Sequence, residues 1–327
     1  MRVAWLAPGP LDQPTGGYVY DARMVRALER AGDTVTILDP SREALAPSSF
    51  DVVVGDELAH REVGRVFARL ALPRVLVVHH LAAWEHGAWL RRAALLAAEL
   101  ACLHRADRVV TPSPFVARRL ARLGIRAETV LPGADRLPLR PRADPGSGVR
   151  LLAVGSLVPR KRLGLVLDAL DRLGDPAVLL DVVGEARAPA YAGAIRARVA
   201  RSSHLARTVR LLGAVGEGTL ADAYAAASAL VLASSLEGYG MVLTEALHAG
   251  LPVLAARTSA IPEVVTDGRE ALLFDAGSLD AVLRAFATTP EIRVAMSTAA
   301  AARRASLPTW AASEARFIDL VRHTRRS

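Results

Sequence analysis

Short runs rich in Val, Leu and Ala alternate along this chain with longer stretches in which apolar residues recur every three or four positions. The short runs are typical of buried β-strands and the longer stretches of amphipathic helices. Strands that alternate with helices pair in parallel, so the pattern predicts an α/β fold class with two doubly wound, Rossmann-like domains facing across a cleft. The predicted strands are residues 2–7, 34–38, 51–54, 74–78, 108–111 and 127–131, then 150–154, 177–183, 209–212, 229–233, 252–255 and 271–274.

One segment interrupts this pattern. Residues 138–148, PLRPRADPGSG, are rich in Pro and Gly and have no periodicity, so we interpret them as a linker. The predicted domains are therefore residues 1–140 and 149–305, followed by a C-terminal helical segment, 306–327. In open parallel sheets ligands bind beyond the carboxyl ends of the strands, so the chemistry is expected in the loops that follow strands.

The composition excludes several classes of protein. With 52% hydrophobic residues in 327, the chain is expected to be folded and not disordered. Its single cysteine, Cys102, excludes a disulfide framework and a thiolate metal cluster, and indicates a reducing compartment, so we expect a cytoplasmic protein. The start of the sequence lacks the long apolar region of a signal peptide, and no apolar stretch is long enough for a spanning helix.

The positive charge is not concentrated in one place. The net charge of +8 is divided evenly between residues 1–145 and 146–327, and aromatic residues make up only 5%. Without a basic stripe or a stacking platform, a nucleic-acid partner is not expected. Arginines at positions 118, 119, 122 and 126 leave peripheral contact with the inner face of a membrane as a less favoured alternative.

Lysine use is more informative. Lys161 is the only lysine among 41 basic residues, and it lies in the turn VGSLVPRKR between a predicted strand and a helix. A lone lysine in an arginine-rich chain indicates either a position that needs a compact ammonium group or a lysine retained by chance, and the count alone favours neither. Three consecutive cations at a helix N-terminus oppose the helix dipole, so we interpret the turn as a site for an anionic ligand.

Two glutamates bracket another strand-to-helix loop, in the segment EGYGMVLTE. Glu237 precedes the predicted helix and Glu245 lies about one turn inside it, while Gly238 and Gly240 permit a tight bend. The first N–H groups of such a helix can bind a diphosphate, and a carboxylate can accept hydrogen bonds from two sugar hydroxyls. A solvated loop residue and a partner of the helix dipole are the plainer interpretation of the two carboxylates.

Two further segments follow predicted strands of the first half. Gly16 and Gly17 lie in a predicted loop before the first helix, where glycine permits close approach of the backbone to phosphate. His79 and His80 follow a buried strand, and either imidazole could contact a substrate hydroxyl or serve only in packing. The G-x-G-x-x-G and G-x-x-x-x-G-K-[ST] motifs are absent, which argues against a dinucleotide dehydrogenase and a P-loop enzyme.

Together these segments resemble the retaining glycosyltransferases of family four, which have the GT-B fold. EGYGMVLTE matches the family's E-x(7)-E motif, and SAIPEVVTDGREALLF and VGSLVPRKR resemble two further segments of the family's C-terminal domain. TGGYVYD and VVHHLAAWE resemble its N-domain glycine loop and histidine. Ser156 and Arg162 depart from the family, which usually has Arg and Gly at these positions; we expect Arg160 to take over the second phosphate contact.

The resemblance implies a role for each site residue. Lys161 and Arg160 would neutralise the donor diphosphate, Glu237 would lie near the hydroxyls of the transferred sugar, and Glu245 would hold the ribose. His79 would contact the sugar near the reacting carbon, with His80 as second choice. The remaining donor-binding positions implied are Gly16, Gly17, Ser156, Gly184, Gly213, Val215, Gly238, Gly240, Met241 and Val242.

The expected function is therefore transfer of a hexose from a nucleotide sugar to an acceptor, with retention of anomeric configuration and without a metal or other cofactor. The first domain would lie on the acceptor side and the second would bind the donor, while the final helix would cross back to the first domain. The acceptor, whether a small molecule, a glycan or a lipid-linked sugar, is left open. A catalytically silent subunit that binds a nucleotide sugar is the main alternative, and an epimerase or phosphorylase of the same fold is a further one.

Overall fold

The computed structural model describes residues 1–85, 87–142 and 148–325. The chain forms two compact units: the first comprises Met1–Pro132 and the C-terminal segment from Thr309, and the second comprises Gly133–Pro308. The passage between units thus precedes the segment 138–148 that we expected to be the linker. Residues 138–142 belong to the second unit, where Arg142 donates hydrogen bonds to the carbonyl groups of Gly250 and Ala227, and residues 143–147 lie outside the described part of the chain.

The first unit is built on a parallel sheet of six strands in the order β2-β1-β3-β4-β5-β6. The strands are β1 (Arg2–Leu6), β2 (Thr34–Leu38), β3 (Val52–Asp56), β4 (Arg74–Val77), β5 (Arg108–Thr111) and β6 (Glu128–Thr129). The helices between them are α1 (Gly16–Arg30), α2 (His60–Phe67), α3 (Trp89–Leu103) and α4 (Pro114–Ala121).

The second unit also has a six-stranded parallel sheet, in the order β12-β11-β10-β7-β8-β9. Its strands are β7 (Val149–Val154), β8 (Val178–Val183), β9 (Val209–Gly213), β10 (Ala229–Leu232), β11 (Val253–Ala256) and β12 (Ala271–Phe274). Its helices are α5 (Leu163–Leu173), α6 (Pro189–Arg201), α7 (Leu205–Thr208), α8 (Glu217–Ala226), α9 (Met241–His248), α10 (Ile261–Val264), α11 (Leu279–Thr288) and α12 (Pro290–Arg303).

The last helix, α13 (Trp310–Arg322), packs in the first unit. The Phe317 ring lies 5.9 Å from the ring of Trp5 in β1 and 6.5 Å from that of Tyr20 in α1, centroid to centroid. Phe317, Trp5 and Tyr20 are all almost fully buried, and burying a large apolar side chain stabilises a fold by roughly 1.5–3 kcal/mol. Packing of these rings therefore accounts for the return of the chain end to the first unit.

Local sequence explains where several helices begin and end. Pro114 opens α4 behind Ser113, whose Oγ accepts a hydrogen bond from the N–H of Val116, and Thr309 caps α13 in the same way. Gly174 ends α5 in the left-handed conformation, at φ = +66°. All twelve predicted strands are present, with ends shifted by at most a few residues, and among the described residues no helix is long and apolar enough to cross a membrane.

Candidate functional site

The order of strands locates a switch point in each sheet. In the second unit β7 lies between β10 and β8, so the connections leaving β7 and β10 run to opposite sides of the sheet. In the first unit the corresponding neighbours are β1 and β3. Crevices at the carboxyl ends of such neighbouring strands bind ligands in open α/β sheets, and most of the predicted site residues follow these strands.

In the second unit this arrangement joins Lys161 to Glu237. Lys161 ends a short 3-10 turn after β7, Glu237 lies in the loop after β10, and Lys161 Nζ donates a hydrogen bond to Glu237 Oε1 at 2.7 Å. Burial of the Glu237 carboxyl group opposes its ionisation, but the charges of Lys161 and Arg160 outweigh that effect, so the pKa of Glu237 lies below its usual value. A carboxylate and an ammonium group are thus held together at the switch point, 76 positions apart in the chain.

The two arginines beside Lys161 tie the same loops together. Arg160 Nη1 donates to the carbonyl oxygen of Leu236 at 3.1 Å, and Arg162 Nε donates to that of Ala233 at 2.8 Å. Arg162 has the left-handed backbone conformation, at φ = +47°, in which a glycine carries no steric cost. The departure from the usual glycine is therefore a strained position, held in part by the hydrogen bond to Ala233. The three cations that we interpreted as a ligand site also have protein partners.

Glycines bring the strand ends close to Lys161. A Cβ atom at Gly155, directly after β7, would lie 3.1 Å from Lys161 Cε, and one at Gly184, directly after β8, would collide with the carbonyl oxygen of Gly155. Ser156 follows in the same loop, and a small cavity at the ends of β7, β8 and β10 is lined by Gly155, Ser156 and Lys161 together with apolar side chains. This close packing fits a compact ammonium group and not a planar guanidinium.

Helix α9 begins beside Glu237. Gly240 is its N-cap, at φ = +90°, and Leu243 N–H donates to the Gly240 carbonyl at 2.8 Å. The N–H groups of Met241 and Val242 have no acceptor within the helix, because the first turn of any α-helix leaves its donors unpaired. Gly238 lies in the loop before the cap, and Gly213 and Val215 lie at the end of β9 and just beyond it.

Glu245 does not face solvent. Its Oε1 accepts a hydrogen bond from Arg136 Nε at 2.8 Å, its Oε2 accepts one from the Tyr224 hydroxyl at 3.1 Å, and Arg136 also reaches Glu217. Burial lowers the pKa of Arg136, but the charge of Glu245 outweighs it, so the net pKa is raised. The carboxylate predicted to hold a ribose is thus already paired with a cation that sequence analysis missed.

In the first unit, Gly16 and Gly17 differ from the prediction in one respect. They do not lie in a loop: they are the first two residues of α1, behind Thr15 as N-cap, and the Val19 N–H closes the first turn on the Thr15 carbonyl at 2.8 Å. Glycine is tolerated there because the first-turn N–H groups are unpaired in any case. A Cβ atom at Gly17 would lie 3.1 Å from His79 Cδ2, so this glycine lets the imidazole pack against the helix.

His79 is buried and His80 is half-buried, and each has a carboxyl partner. His79 Nε2 lies 3.1 Å from Asp21 Oδ1 in α1. The backbone N–H of His80 donates to Glu57 Oε2 at 3.1 Å, and His80 Nε2 lies 2.7 Å from Glu85 Oε1. His79 is therefore the histidine enclosed by the switch-point residues of this unit.

Ionisation around His79 is strongly perturbed. Burial lowers the pKa of His79, but neighbouring carboxyl groups outweigh it and raise the pKa to about 9. Burial, with the charge of Asp21 beside it, raises the pKa of Asp56 to about 8, and burial raises that of Glu57 well above its usual value. The carboxyl groups that act on His79 are, from the largest effect to the smallest, Asp21, Asp56 and Glu57.

The same side chains bear on metal binding. One atom each from Asp21, Asp56 and His79 lies within 4.8 Å of the other two, which is the spacing that a metal ion also needs. His79 Nε2 and Asp21 Oδ1 are already joined by a hydrogen bond, so a proton occupies the gap between them. We therefore interpret the group as a proton-binding cluster.

Asp21, Asp56, Arg136 and Tyr224 were not predicted from the sequence. Two of them could have been found from the sequence. Asp21 is a charged residue within the apolar stripe of α1, and Asp56 directly follows the apolar run VVVG. Asp56 is the last residue of β3, which extends two residues beyond its predicted end. Arg136 has no such signal, since arginine is common throughout this chain and its partner Glu245 is 109 positions away.

Comparison with known families matches most of the chain. Residues 148–289 match a family model described as "Glycosyl transferases group 1", and residues 41–136 match one described as "Glycosyltransferase Family 4". Together these ranges include the loops after β3, β4, β7 and β10, whereas α1, which carries Gly16, Gly17 and Asp21, precedes them.

A curated relative and two solved structures are similar over most of their length. The chain is 30% identical to "D-inositol 3-phosphate glycosyltransferase" of Streptomyces scabiei over 318 aligned positions, covering 86% of this chain and 70% of the relative. Sucrose-phosphate synthase of Thermosynechococcus elongatus superposes with a TM-score of 0.82 at 19% identity, over 98% of both chains. Anabaena HepE in complex with UDP-glucose superposes with a TM-score of 0.81 at 16% identity, over 98% of this chain and 99% of that one. At such identities the structures show the fold alone, and they confirm the α/β GT-B fold class.

Proposed function

The chain belongs to the family 4 glycosyltransferases, and we propose that it transfers a hexose from a nucleotide sugar with retention of anomeric configuration and without a metal ion. The observation that carries this proposal is the Lys161–Glu237 pair at the switch point of the second sheet, beside the N-terminus of α9. The pair supplies a cation for a diphosphate and a carboxylate for sugar hydroxyls within one hydrogen bond of each other.

In this proposal, protein groups neutralise the negative charge of the donor diphosphate. An ammonium group has three N–H donors, so Lys161 can keep its contact with Glu237 and still donate to phosphate oxygens. Arg160 and the free N–H groups of Met241 and Val242 add further positive potential to the same region. These groups replace a divalent cation in stabilising the leaving diphosphate as the sugar bond breaks.

The other residues keep the roles that the resemblance implies. Glu237 binds hydroxyls of the sugar, Glu245 binds the ribose after exchanging part of its contact with Arg136, and Gly184, Gly213 and Val215 border the base. For the first unit, the resemblance implies phosphate contacts by Gly16 and Gly17 and a sugar contact by His79. The acceptor's proton passes to the leaving phosphate on the same face of the sugar, because no side chain among those assigned here serves as a nucleophile.

The test begins with donor binding. A thermal-shift screen of UDP-, GDP- and ADP-hexoses should raise the melting temperature for one nucleotide class, because a ligand that binds only the folded state stabilises it. The selected donor is then offered to inositol 3-phosphate, the compound after which the Streptomyces scabiei relative is named, and to simple glycans. Proton NMR of the product should show the retained anomer.

Two results would contradict the proposal. An inverted anomer would exclude the retaining reaction, and loss of activity in EDTA, restored by a divalent ion, would exclude metal-independent transfer. Stabilisation by a donor with neither hydrolysis nor transfer would instead support the alternative of a catalytically silent binding subunit.

A further inference from the structure

Among the buried side chains around His79, carboxyl groups outnumber basic groups. Asp21, Asp56 and Glu57 are all at most 3% exposed, and a single imidazole faces them. Asp56 Oδ1 accepts a hydrogen bond from the Leu58 N–H, but Asp21 Oδ2 and Asp56 Oδ2 are buried without a donor from the rest of the described chain. Ionised carboxylates are not left unpaired in an apolar interior, so a proton or a cation must accompany these two carboxyl groups.

We propose that Asp21 and Asp56 share one proton, and that Asp21, held in place by this bond, keeps His79 as a charged imidazolium that donates hydrogen bonds from both ring nitrogens. Asp21 and Asp56 are then positioning residues for His79. The inference rests on the proposed function only for the contact between His79 and the substrate, since the protonation of the cluster is a property of the free protein.

Contacts from two directions fix the imidazole ring. Gly17 lies against its Cδ2 edge, and the Tyr20 ring meets it edge to face at 5.6 Å between centroids. With the ring held and Nε2 directed to Asp21, Nδ1 has no hydrogen-bond partner among the residues that the structure describes, and it is left for a ligand. A neutral histidine that donates to Asp21 through Nε2 can only accept at Nδ1, whereas an imidazolium donates there.

The ligand class follows from that difference. A charged His79 binds an oxygen acceptor, such as a phosphate oxygen or a hydroxyl lone pair, and rejects a group that can only donate. The inference thus assigns His79 to the electron-rich side of the substrate, where it would stabilise negative charge that develops as the sugar bond breaks.

The carboxyl groups on each element packed around His79 favour its charged state. Helix α1 supplies Asp21, β3 supplies Asp56, and the turn after β3 supplies Glu57, whose own carboxyl group is faced by Glu99 from α3. The raised pKa values of His79, Asp56 and Glu57 agree with a cluster that keeps its protons at neutral pH.

The decisive measurement is a titration of the His79 ring nitrogens by 15N NMR in the full-length wild-type protein, without substrate. His79→Gln identifies the signal among the eight histidines. We expect a doubly protonated ring at pH 7.5, whereas a neutral ring at that pH would overturn the proposal. This readout remains valid if no transfer activity is found, so it can fail independently of the proposed function.

Two matched variants test the shared proton. Asp56→Asn keeps the shape and supplies an N–H donor to Asp21, so the ring should stay charged at pH 7.5. Asp21→Asn removes the ionised partner and should lower the pKa of His79 by at least about one unit. Glu85→Gln, which removes the carboxylate that contacts His80, is the control and should leave His79 unchanged. If Asp56→Asn lowered the pKa of His79 as much as Asp21→Asn does, the shared proton would be excluded.

Metal analysis and kinetics complete the test. Stoichiometric zinc or manganese found by mass spectrometry in the purified protein, and lost in Asp21→Asn, would replace the shared proton with a metal ion. In transfer assays at pH 8, Asp21→Asn should lower kcat by about tenfold with a smaller change in KM, and Asp56→Asn should retain most of kcat. Equal loss of kcat in both variants would contradict the positioning role.

Discussion

In the second unit the buried carboxylates of the candidate site meet side-chain cations, whereas in the first unit the corresponding carboxyl groups outnumber their one cation. Glu237 is paired with Lys161 and Glu245 with Arg136, but three carboxyl groups converge on His79. Both clusters lie at the switch point of a six-stranded parallel sheet. The same topology thus carries two ways of balancing buried charge, one by ion pairs and one by protons.

The difference determines what each cluster can do. An ion pair of a compact ammonium group and a carboxylate can open to bind a diphosphate and sugar hydroxyls, since each partner has spare hydrogen-bonding capacity. A proton-balanced cluster instead responds to pH, because its charge changes between the pKa values of its members. The first is suited to holding an ionic donor, and the second to fixing the protonation state of one residue.

The largest expected effect concerns the lone lysine. Lys161→Ala removes the cation that faces the leaving diphosphate, so kcat for transfer should fall by about 10²–10³-fold, as for loss of one stabilising donor in other active sites. Steady-state kinetics with the donor found in the thermal-shift screen would measure it.

Lys161→Arg is the matched control for charge. It keeps the charge but not the compact shape that packs against Gly155, so an intermediate loss is expected. Unchanged turnover in Lys161→Ala would contradict the role of the ion pair and remove the contrast between the two clusters.

The second effect concerns stability. Arg136→Ala leaves the Glu245 carboxylate buried without its cation and should cost about 3–5 kcal/mol in the free energy of unfolding. Arg140→Ala is the matched control, because its partner Asp222 is 67% exposed, and this change should cost under about 1 kcal/mol. Urea unfolding of both variants makes the comparison, and equal small losses would show that the Arg136 pair does not stabilise the unit.

The third effect is a pH dependence of opposite sign in the two units. The pKa of His79 is raised to about 9, so its contribution to stability is complete below about 6.5 and is lost as pH rises to 9, by on the order of 3 kcal/mol. The pKa of Glu237 is lowered, so its contribution is present above about 4.5 and is lost as pH falls below that value.

Hydrogen exchange followed by mass spectrometry reports on each unit separately. Peptides around His79 should lose protection between pH 7 and 9 relative to His79→Gln, after correction for the intrinsic exchange rate. Peptides around Glu237 should lose protection between pH 5 and 3.5 relative to Glu237→Gln. A common pH dependence in both regions would remove the proposed contrast.

The smallest effect isolates one hydroxyl group, that of Tyr224, which also lies 3.4 Å from the carbonyl oxygen of Val242. Tyr224→Phe removes the donor to Glu245 Oε2 and leaves the ion pair with Arg136 in place. The free energy of unfolding should fall by about 1–3 kcal/mol, toward the lower end of that range because the ion pair remains. Thermal unfolding measures the change. A loss as large as that in Arg136→Ala would mean that the hydroxyl group, and not the cation, is the main partner of Glu245.

Sequence patterns predicted the elements well because each depends on nearby residues. The apolar runs that became strands were visible along the chain, although the edge strands β2 and β6 are not buried, and Gly238 and Gly240 marked the bend before α9. The first helix was predicted to begin after Gly17, but α1 begins at Gly16, because glycine disfavours helix interiors but not a first turn. The segment 138–148 looked like a linker because Pro and Gly content does not reveal that Arg142 binds backbone carbonyl groups of the second unit.

By itself, the sequence determined the α/β class, the family resemblance and the positions of Lys161, Glu237 and Glu245 in or near two strand-to-helix loops, because these follow from periodicity and spacing over short stretches. Only the tertiary structure decided which charges meet: Asp21 reaches His79 across 58 positions, and Arg136 reaches Glu245 across 109. Such pairs depend on the order in which strands are placed in a sheet and on side-chain direction, which local patterns do not encode. The balance of buried charge by cations in one unit and by protons in the other is therefore a property of the folded chain.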